Sequence, residues 1–302
     1  MADAAASGST DQQAVVLQDL QFSYPGCDAF LKGIDLQLPK GSRTLLIGAN
    51  GAGKTTLLQL IAGKYMVGRD KIRVLGQSPF YAMDLTCSGQ LSYLGTSWRK
   101  DVAFAGYGVP LQGDITAGKM IFGVEGVDPE RRRQLVRLLD IDLYQRMTTM
   151  SDGQRRRVQI CMGLLKPYDV LLMDEITVDM DVLGRMDLLD FFRQECEQRG
   201  ATIVYATHIF DGLEGWISHV AYLEDGGLVH GGPRSILPQL GPGKKLLHVV
   251  EEWLRQERDG RRAKAATAAT AAASCSAEQQ PLASVVPSRT PLMPNKHLAF
   301  FR

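Results

Sequence analysis

The apolar run Thr44–Ile47 leads directly into Gly48-Ala49-Asn50-Gly51-Ala52-Gly53-Lys54-Thr55, which meets G-x-x-x-x-G-K-[ST] at every fixed position. Thr56, Leu57, Leu58, Leu60 and Ile61 then follow with helical spacing. The glycines let backbone N–H groups turn inward around an anion. The helix behind them aims its positive end at the same point. Strand, loop and helix in this order demand a βα unit, and so an α/β sheet. Lys54 is placed to meet the β and γ phosphates of a nucleotide. Thr55 can offer its hydroxyl to Mg²⁺.

The rest of the chain keeps that rhythm. Strand-like segments are Val15–Leu17, Asp35–Leu38, Leu91–Leu94, Val170–Met173 and Thr202–Ala206, separated by Gly-rich turns. They predict a largely parallel sheet. Val220–Leu223, Asp225-Gly226-Gly227 and Leu228–His230 read as a closing hairpin. Between about residues 97 and 165 the pattern turns helical, with Leu135, Leu138, Leu139 and Leu143 sharing a face. The expected organisation is a disordered leader over 1–13, an α/β domain over 14–242 carrying a helical subdomain at about 97–165, an amphipathic helix over 243–258, and a largely disordered tail over 259–302. The Arg131-Arg132-Arg133 run reads as a solvated helix face, and the apolar end at Leu298–Phe301 as a sticky tip or a docking peptide.

Three further segments carry chemistry. Val170-Leu171-Leu172-Met173-Asp174-Glu175 is an apolar strand ending in two carboxylates. Asp174 would hold Mg²⁺, and Glu175 could polarise an attacking water as general base. Ser151-Asp152-Gly153-Gln154 has the form of a helix start with Ser151 as N-cap, which is also an anion receptor. Thr207-His208 ends a third apolar strand and fits a contact to the γ-phosphate. Tyr24, just before Pro25-Gly26, could stack on an adenine ring.

Together these segments resemble the nucleotide-binding domain of ATP-binding-cassette (ABC) proteins, from about Val15 to Gly232. The resemblance implies a P-loop fold of that type, with a mostly parallel core sheet, an antiparallel β subdomain and an inserted helical subdomain. It implies ATP and Mg²⁺ as ligands, with ATP bound by Tyr24, the phosphate loop from Gly48 to Thr56, the signature Ser151–Gln154 and the interface aspartate Asp181. It makes Thr55 and Asp174 the metal ligands, and Glu175 and the switch histidine His208 the catalytic residues. ATP would be hydrolysed across a head-to-tail homo- or heterodimer.

The departures from that pattern are specific. Asp152 stands where the signature usually has Gly, Ile176 where Pro is usual, and Val178-Asp179-Met180-Asp181 where Ser-Ala-Leu-Asp is usual. The loop after Leu91–Leu94 reads Gly95-Thr96-Ser97-Trp98 and lacks the Gln that transporters use there. Tyr-Leu-Gly-Thr, Ser-Asp-Gly-Gln-Arg-Arg-Arg and Asp-Glu-Ile-Thr-Val-Asp resemble one branch. It holds the plant non-intrinsic subfamily I proteins and the yeast factor associated with the deadenylase complex. That resemblance implies a soluble ATPase switch acting on cytosolic or nuclear protein partners. The alternative is the ATPase subunit of a multi-part membrane transporter. Trp98 and the run Val102–Val109 are the expected docking place for a soluble partner.

Composition agrees with this reading. With 34 basic and 33 acidic residues the chain has no global field for nucleic acid or anionic lipid. Five cysteines without a CxxC spacing argue against a disulfide framework or a zinc site, and fit a reducing compartment. No stretch reaches the ~18 uncharged apolar residues of a membrane span, and the first residues lack a signal-peptide pattern. A single cassette without long heptads excludes chromosome-maintenance ATPases and tandem-cassette ribosome factors.

Overall fold

The phosphate-loop strand lies inside a six-stranded sheet, with neighbours drawn from far along the chain. The computed structural model describes residues 12–95, 115–233 and 245–276, excluding the side chains of 264–266 and 268–276. Thr96–Trp98, Val102–Val109, Leu298–Phe301 and the leader up to residue 11 lie outside that range, while Gln13, expected in the disordered leader, opens the first strand because it pairs with Pro39. The chain divides into two compact units, Met1–Arg255 and Gln256–Arg302.

In the first unit a three-stranded antiparallel sheet has the order β2-β1-β4, formed by β1 (Gln13–Phe22), β2 (Leu31–Pro39) and β4 (Ile72–Val74). Strand β2 alternates: Ile34, Leu36 and Leu38 are buried while Asp35 and Gln37 are exposed, the pattern of a sheet with one wet face. The larger sheet is built from β3 (Arg43–Gly48), β5 (Leu91–Leu94), β6 (Val170–Asp174), β7 (Thr202–Ala206), β8 (His219–Glu224) and β9 (Gly227–Pro233). Its order is β5-β6-β7-β3-β8-β9, parallel throughout except for the β8–β9 hairpin. All residues of β6 and β7 are buried, as a parallel sheet covered on both faces requires.

Period-two alternation sorts those strands between two cores. Leu171, Met173, Ile203 and Tyr205 join Leu45 and Ile47 on one face. Val170, Leu172, Val204 and Ala206 join Leu46 on the other, against helix α1 (Lys54–Ile61) and the small sheet. Between β5 and β6 the described chain is helical, with α2 (Met83–Cys87) before β5, then α3 (Ala117–Phe122), α4 (Pro129–Leu138) and α5 (Asp152–Leu164). Helix α6 (Val182–Arg199) packs beside α4 and ends at Gly200 in the left-handed conformation, φ 70°.

Three expectations need correction. Helix α4 stops near Leu138, short of Leu143, because Asp140 takes a left-handed conformation, φ 46°. The Arg131–Arg133 run is not a solvated face. Arg131 is only 10% exposed, makes a two-armed ion pair with Glu195 and donates to Leu164 O; Arg132 donates to Val124 O, and only Arg133 is exposed. A guanidinium on a long apolar stem can bury its head wherever carbonyls and a carboxylate are waiting. Finally, the last helix, α7 (Leu246–Ser276), runs well past residue 258. Alanine has the highest helix propensity, so once Leu246, Val249, Val250 and Trp253 are buried the alanine-rich segment extends the helix. Trp253 anchors it on Tyr222 and His230, at ring distances of 5.2 and 4.9 Å.

Candidate functional site

Three parallel strands deliver the chemistry because each ends at the same edge of the sheet. Strand β3 runs into the phosphate loop, β6 ends at Asp174, and β7 ends at Ala206, paired with Asp174. Two glycines of the loop are dictated by space. A Cβ at Gly48 would stand 2.5 Å from Leu223 O, and Gly53 combines φ 107° with Leu31 Cδ2 at 2.6 Å from any added Cβ. Lys54 Nζ donates to Gly48 O at 2.7 Å and Ala49 O at 3.1 Å, so the side chain curls back over its own loop. Tyr24 and Thr56 share a hydrogen bond of 2.8 Å, which fixes the Tyr24 ring beside the start of α1. Phe22, Phe30 and Tyr65 hold that ring from other sides.

Asp174 is 2% exposed, and its Oδ1 has no hydrogen-bond partner. Burial pushes its pKa up, against hydrogen bonds from Thr55 and Tyr93 and the charge of Lys54; Glu175 pushes it up further. An unsatisfied buried carboxylate oxygen beside a Thr hydroxyl is an all-oxygen donor set suited to a hard divalent cation, so Thr55 and Asp174 fit Mg²⁺. Glu175 adopts φ 54°, a left-handed conformation that a non-glycine residue takes only where its surroundings compel it. Its N–H donates to Ala206 O at 2.9 Å, and its Oε2 lies 2.6 Å from His208 Nδ1. The exposed His208 ring and the half-buried carboxylate thus form a pair at the mouth of the site.

The signature stands elsewhere. Ser151 caps α5, its Oγ accepting from Gln154 N, while Gln154 Oε1 accepts from Ser151 N. Asp152 is not the cap. Its side chain is 91% exposed and pairs with Arg155 one turn on. Asp181 caps α6 by accepting from Gly184 N at 2.9 Å. Ser151, Gly153, Gln154 and Asp181 line a cleft of about 440 Å³ in which no residue of the phosphate loop takes part. One chain therefore brings together Lys54, Thr55, Asp174, Glu175 and His208, but keeps the signature apart from them.

Sequence reasoning missed two residues. Tyr93 puts its hydroxyl 3.4 Å from Asp174 Oδ2, and Arg156 inserts its guanidinium beneath Glu175. Tyr93 sits in a strand that pairs with β6, which is the only sequence-level signal for its place. Arg156 is hidden within a run of three identical residues.

Similarity to known proteins agrees with this geometry. The ABC transporter family profile matches residues 31–178. The chain is 58% identical to ABC transporter I family member 21 of Arabidopsis thaliana over 245 residues, covering 81% of this chain and 86% of that protein. It is 41% identical to CCR4-associated factor 16 of Saccharomyces cerevisiae over 233 residues, 72% of this chain and 78% of the relative. A solved ATP-binding subunit of an ABC transporter superposes with a TM-score of 0.64 at 22% identity, over 79% of this chain and 98% of that one, which shows the shared fold. Strand order, phosphate loop and relatives agree: the chain belongs to the ATP-binding-cassette family, in the branch that holds the plant subfamily I proteins and the yeast factor.

Proposed function

We propose that this protein hydrolyses MgATP at sites completed by a second chain, and that the closing and opening of the dimer acts as a switch on protein partners. The observation that carries the reading is the meeting of three strand ends, where Asp174 has Thr55, Lys54 and Glu175 for neighbours and Glu175 faces His208. The amides from Gly48 to Thr56 would cradle the phosphates, and Lys54 would exchange its loop carbonyls for phosphate oxygens. Tyr24 would carry the adenine ring. Thr55 and Asp174 would hold Mg²⁺, which when bound neutralises charge on the β and γ phosphates. Glu175 would take the proton of the attacking water, and His208 at 2.6 Å would orient that carboxylate and meet the γ-phosphate. Ser151, Asp152, Gly153, Gln154 and Asp181, set apart in their own cleft, would close on the nucleotide of the opposite chain.

Among the described residues no helix is long and apolar enough to cross a membrane. The likeness to a relative named CCR4-associated factor 16 supports protein partners, and we extend that reading to a role in gene-expression control and a cytoplasmic or nuclear place of work. The test is the Glu175→Gln chain. It should bind ATP, lose at least about 100-fold in turnover, and accumulate an ATP-bound dimer that retains its partners on purification. Unchanged turnover, or a membrane permease as the stoichiometric partner, would overturn the reading.

A further inference from the structure

Arg155, Arg156 and Arg157 have three different fates. Arg155 pairs with Asp152 at the surface, and Arg157 reaches Asp140 and Leu139 O. Arg156 is buried. Its Nη1 donates to Gln159 Oε1 at 2.6 Å and Gly95 O at 2.8 Å, its Nε to Ile176 O at 3.3 Å, and its Nη2 to Glu175 O at 3.4 Å. Gln159 Nε2 donates to the same Gly95 O at 3.1 Å. These bonding partners are uncharged oxygens; Asp179 and Asp174 supply only longer-range attraction, and burial lowers the pKa of Arg156. A charged group placed this way is expensive to bury, and an apolar side chain would fill the volume at lower cost. Its contacts therefore need a reason.

The reason lies in what it touches. Glu175 is held at φ 54°, and such a conformation persists only when neighbours over-determine it. On one side Ala206 O receives the Glu175 N–H. On the other, a single guanidinium takes the carbonyls of Glu175 and Ile176 together. The same guanidinium reaches Gly95, the last described residue after β5, and it stands on the helix whose N-cap is Ser151.

We propose that Arg156 is a positioning residue for Glu175, clamping the left-handed turn that aims the carboxylate at His208 and joining that turn to the signature helix and to the end of β5. A tilt of α5 would then reach Glu175 through one side chain of the same protomer, without the loop glutamine that transporters use. The proposal rests on Glu175 being the general base.

The test compares full-length wild type, Arg156→Gln, Arg156→Lys, Glu175→Gln and Arg156→Gln/Glu175→Gln. It measures ATP affinity with a fluorescent analogue, steady-state kcat and KM, and Tm. Arg156→Gln should hold ATP affinity and KM within about threefold and lose about 10- to 100-fold in kcat, the scale of a misplaced reacting group. Arg156→Lys, which keeps the charge and fewer simultaneous bonds, should fall between. In the Glu175→Gln background Arg156→Gln should change the residual turnover less than twofold, because no base remains to be aimed. Wild-type kcat in Arg156→Gln, an equal loss in both backgrounds, or a loss confined to KM would overturn the proposal. Unfolding of both Arg156 variants would make the residue structural and overturn it as well. Turnover that survives Glu175→Gln would instead remove the general-base assignment, and the clamp with it.

Discussion

Asp174→Asn should make the nucleotide-free protein more stable. The carboxylate is 2% exposed and its Oδ1 is unsatisfied. Burial outweighs Thr55, Tyr93 and Lys54 and raises its pKa, so the surroundings prefer the neutral form. Leaving a buried polar group unpaired costs about 1–3 kcal/mol, and more when it is charged. Asparagine exchanges a charged orphan for a neutral one of the same shape, so the gain is on the order of 1 kcal/mol. For a domain of this size that is a rise of about 2–4 °C in Tm. The pH dependence follows from the sign. A carboxyl whose folded pKa is raised contributes stability below its unfolded value of 3.8 and loses it as pH rises through the folded value. The gap between variant and wild type should therefore be fully open at neutral pH and close on acidification. Thermal melts in EDTA over a pH series would measure it. Adding MgATP should reverse the order, because ligand at about 100 times its Kd stabilises wild type by ~2.7 kcal/mol and the variant lacks the metal ligand. A variant that melts below wild type at pH 7 in EDTA would refute the reasoning, since the carboxylate would then be well satisfied without a cation.

Lys54→Ala removes charge-assisted contacts worth about 1.5–3 kcal/mol each and should weaken MgATP binding at least tenfold by calorimetry; near wild-type affinity would defeat the phosphate-loop assignment. Mixing Lys54→Ala with Ser151→Arg chains should restore one intact composite site per mixed dimer, and ATPase activity should depend on protein concentration. Absence of rescue at every ratio would place the signature outside the site. Asp152→Gly should tighten the ATP-closed dimer by removing a carboxylate near the phosphates, read by analytical ultracentrifugation of the Glu175→Gln form. The free chain should lose stability on the order of 1 kcal/mol from the added glycine. A weaker closed dimer would show that the Asp152–Arg155 pair supports the signature helix instead.

The parts of the site that were legible in the sequence are those fixed by backbone form. Gly48–Thr55 announces a strand-to-helix turn, Ser151 and Gln154 announce a cap, and the all-apolar runs ending at Asp174 and Ala206 announce buried parallel strands. In each case the residue types match a local geometry, and local geometry is what a sequence encodes most directly. What escaped was decided by distant partners. Arg131 looks like a surface charge, and nothing singles out Arg156 within its run, until Glu195, Leu164 O and Gly95 O are seen waiting for them. Tyr93 reads as an ordinary strand residue until β5 is set beside β6, bringing its hydroxyl to Asp174. The length of α7 escaped because alanine-rich sequence is poised between coil and helix, and a packed first turn decides the outcome.

The place of β3 in its sheet has a consequence for biosynthesis. Its neighbours are β7 and β8, and the tie from Arg43 N to Ser218 Oγ spans 175 positions, that from Gly41 N to Thr202 Oγ1 161. A ribosome will have released the phosphate loop long before either flanking strand exists. The apolar strand Thr44–Ile47 must then wait with both edges unpaired, exposed to aggregation and in need of shielding. Loop closure over such distances also slows the search for the native pairing. Nucleotide can promote folding only once Thr202–Ala206 has emerged, so a chain stalled before that point should gain nothing from ATP and should depend on chaperones.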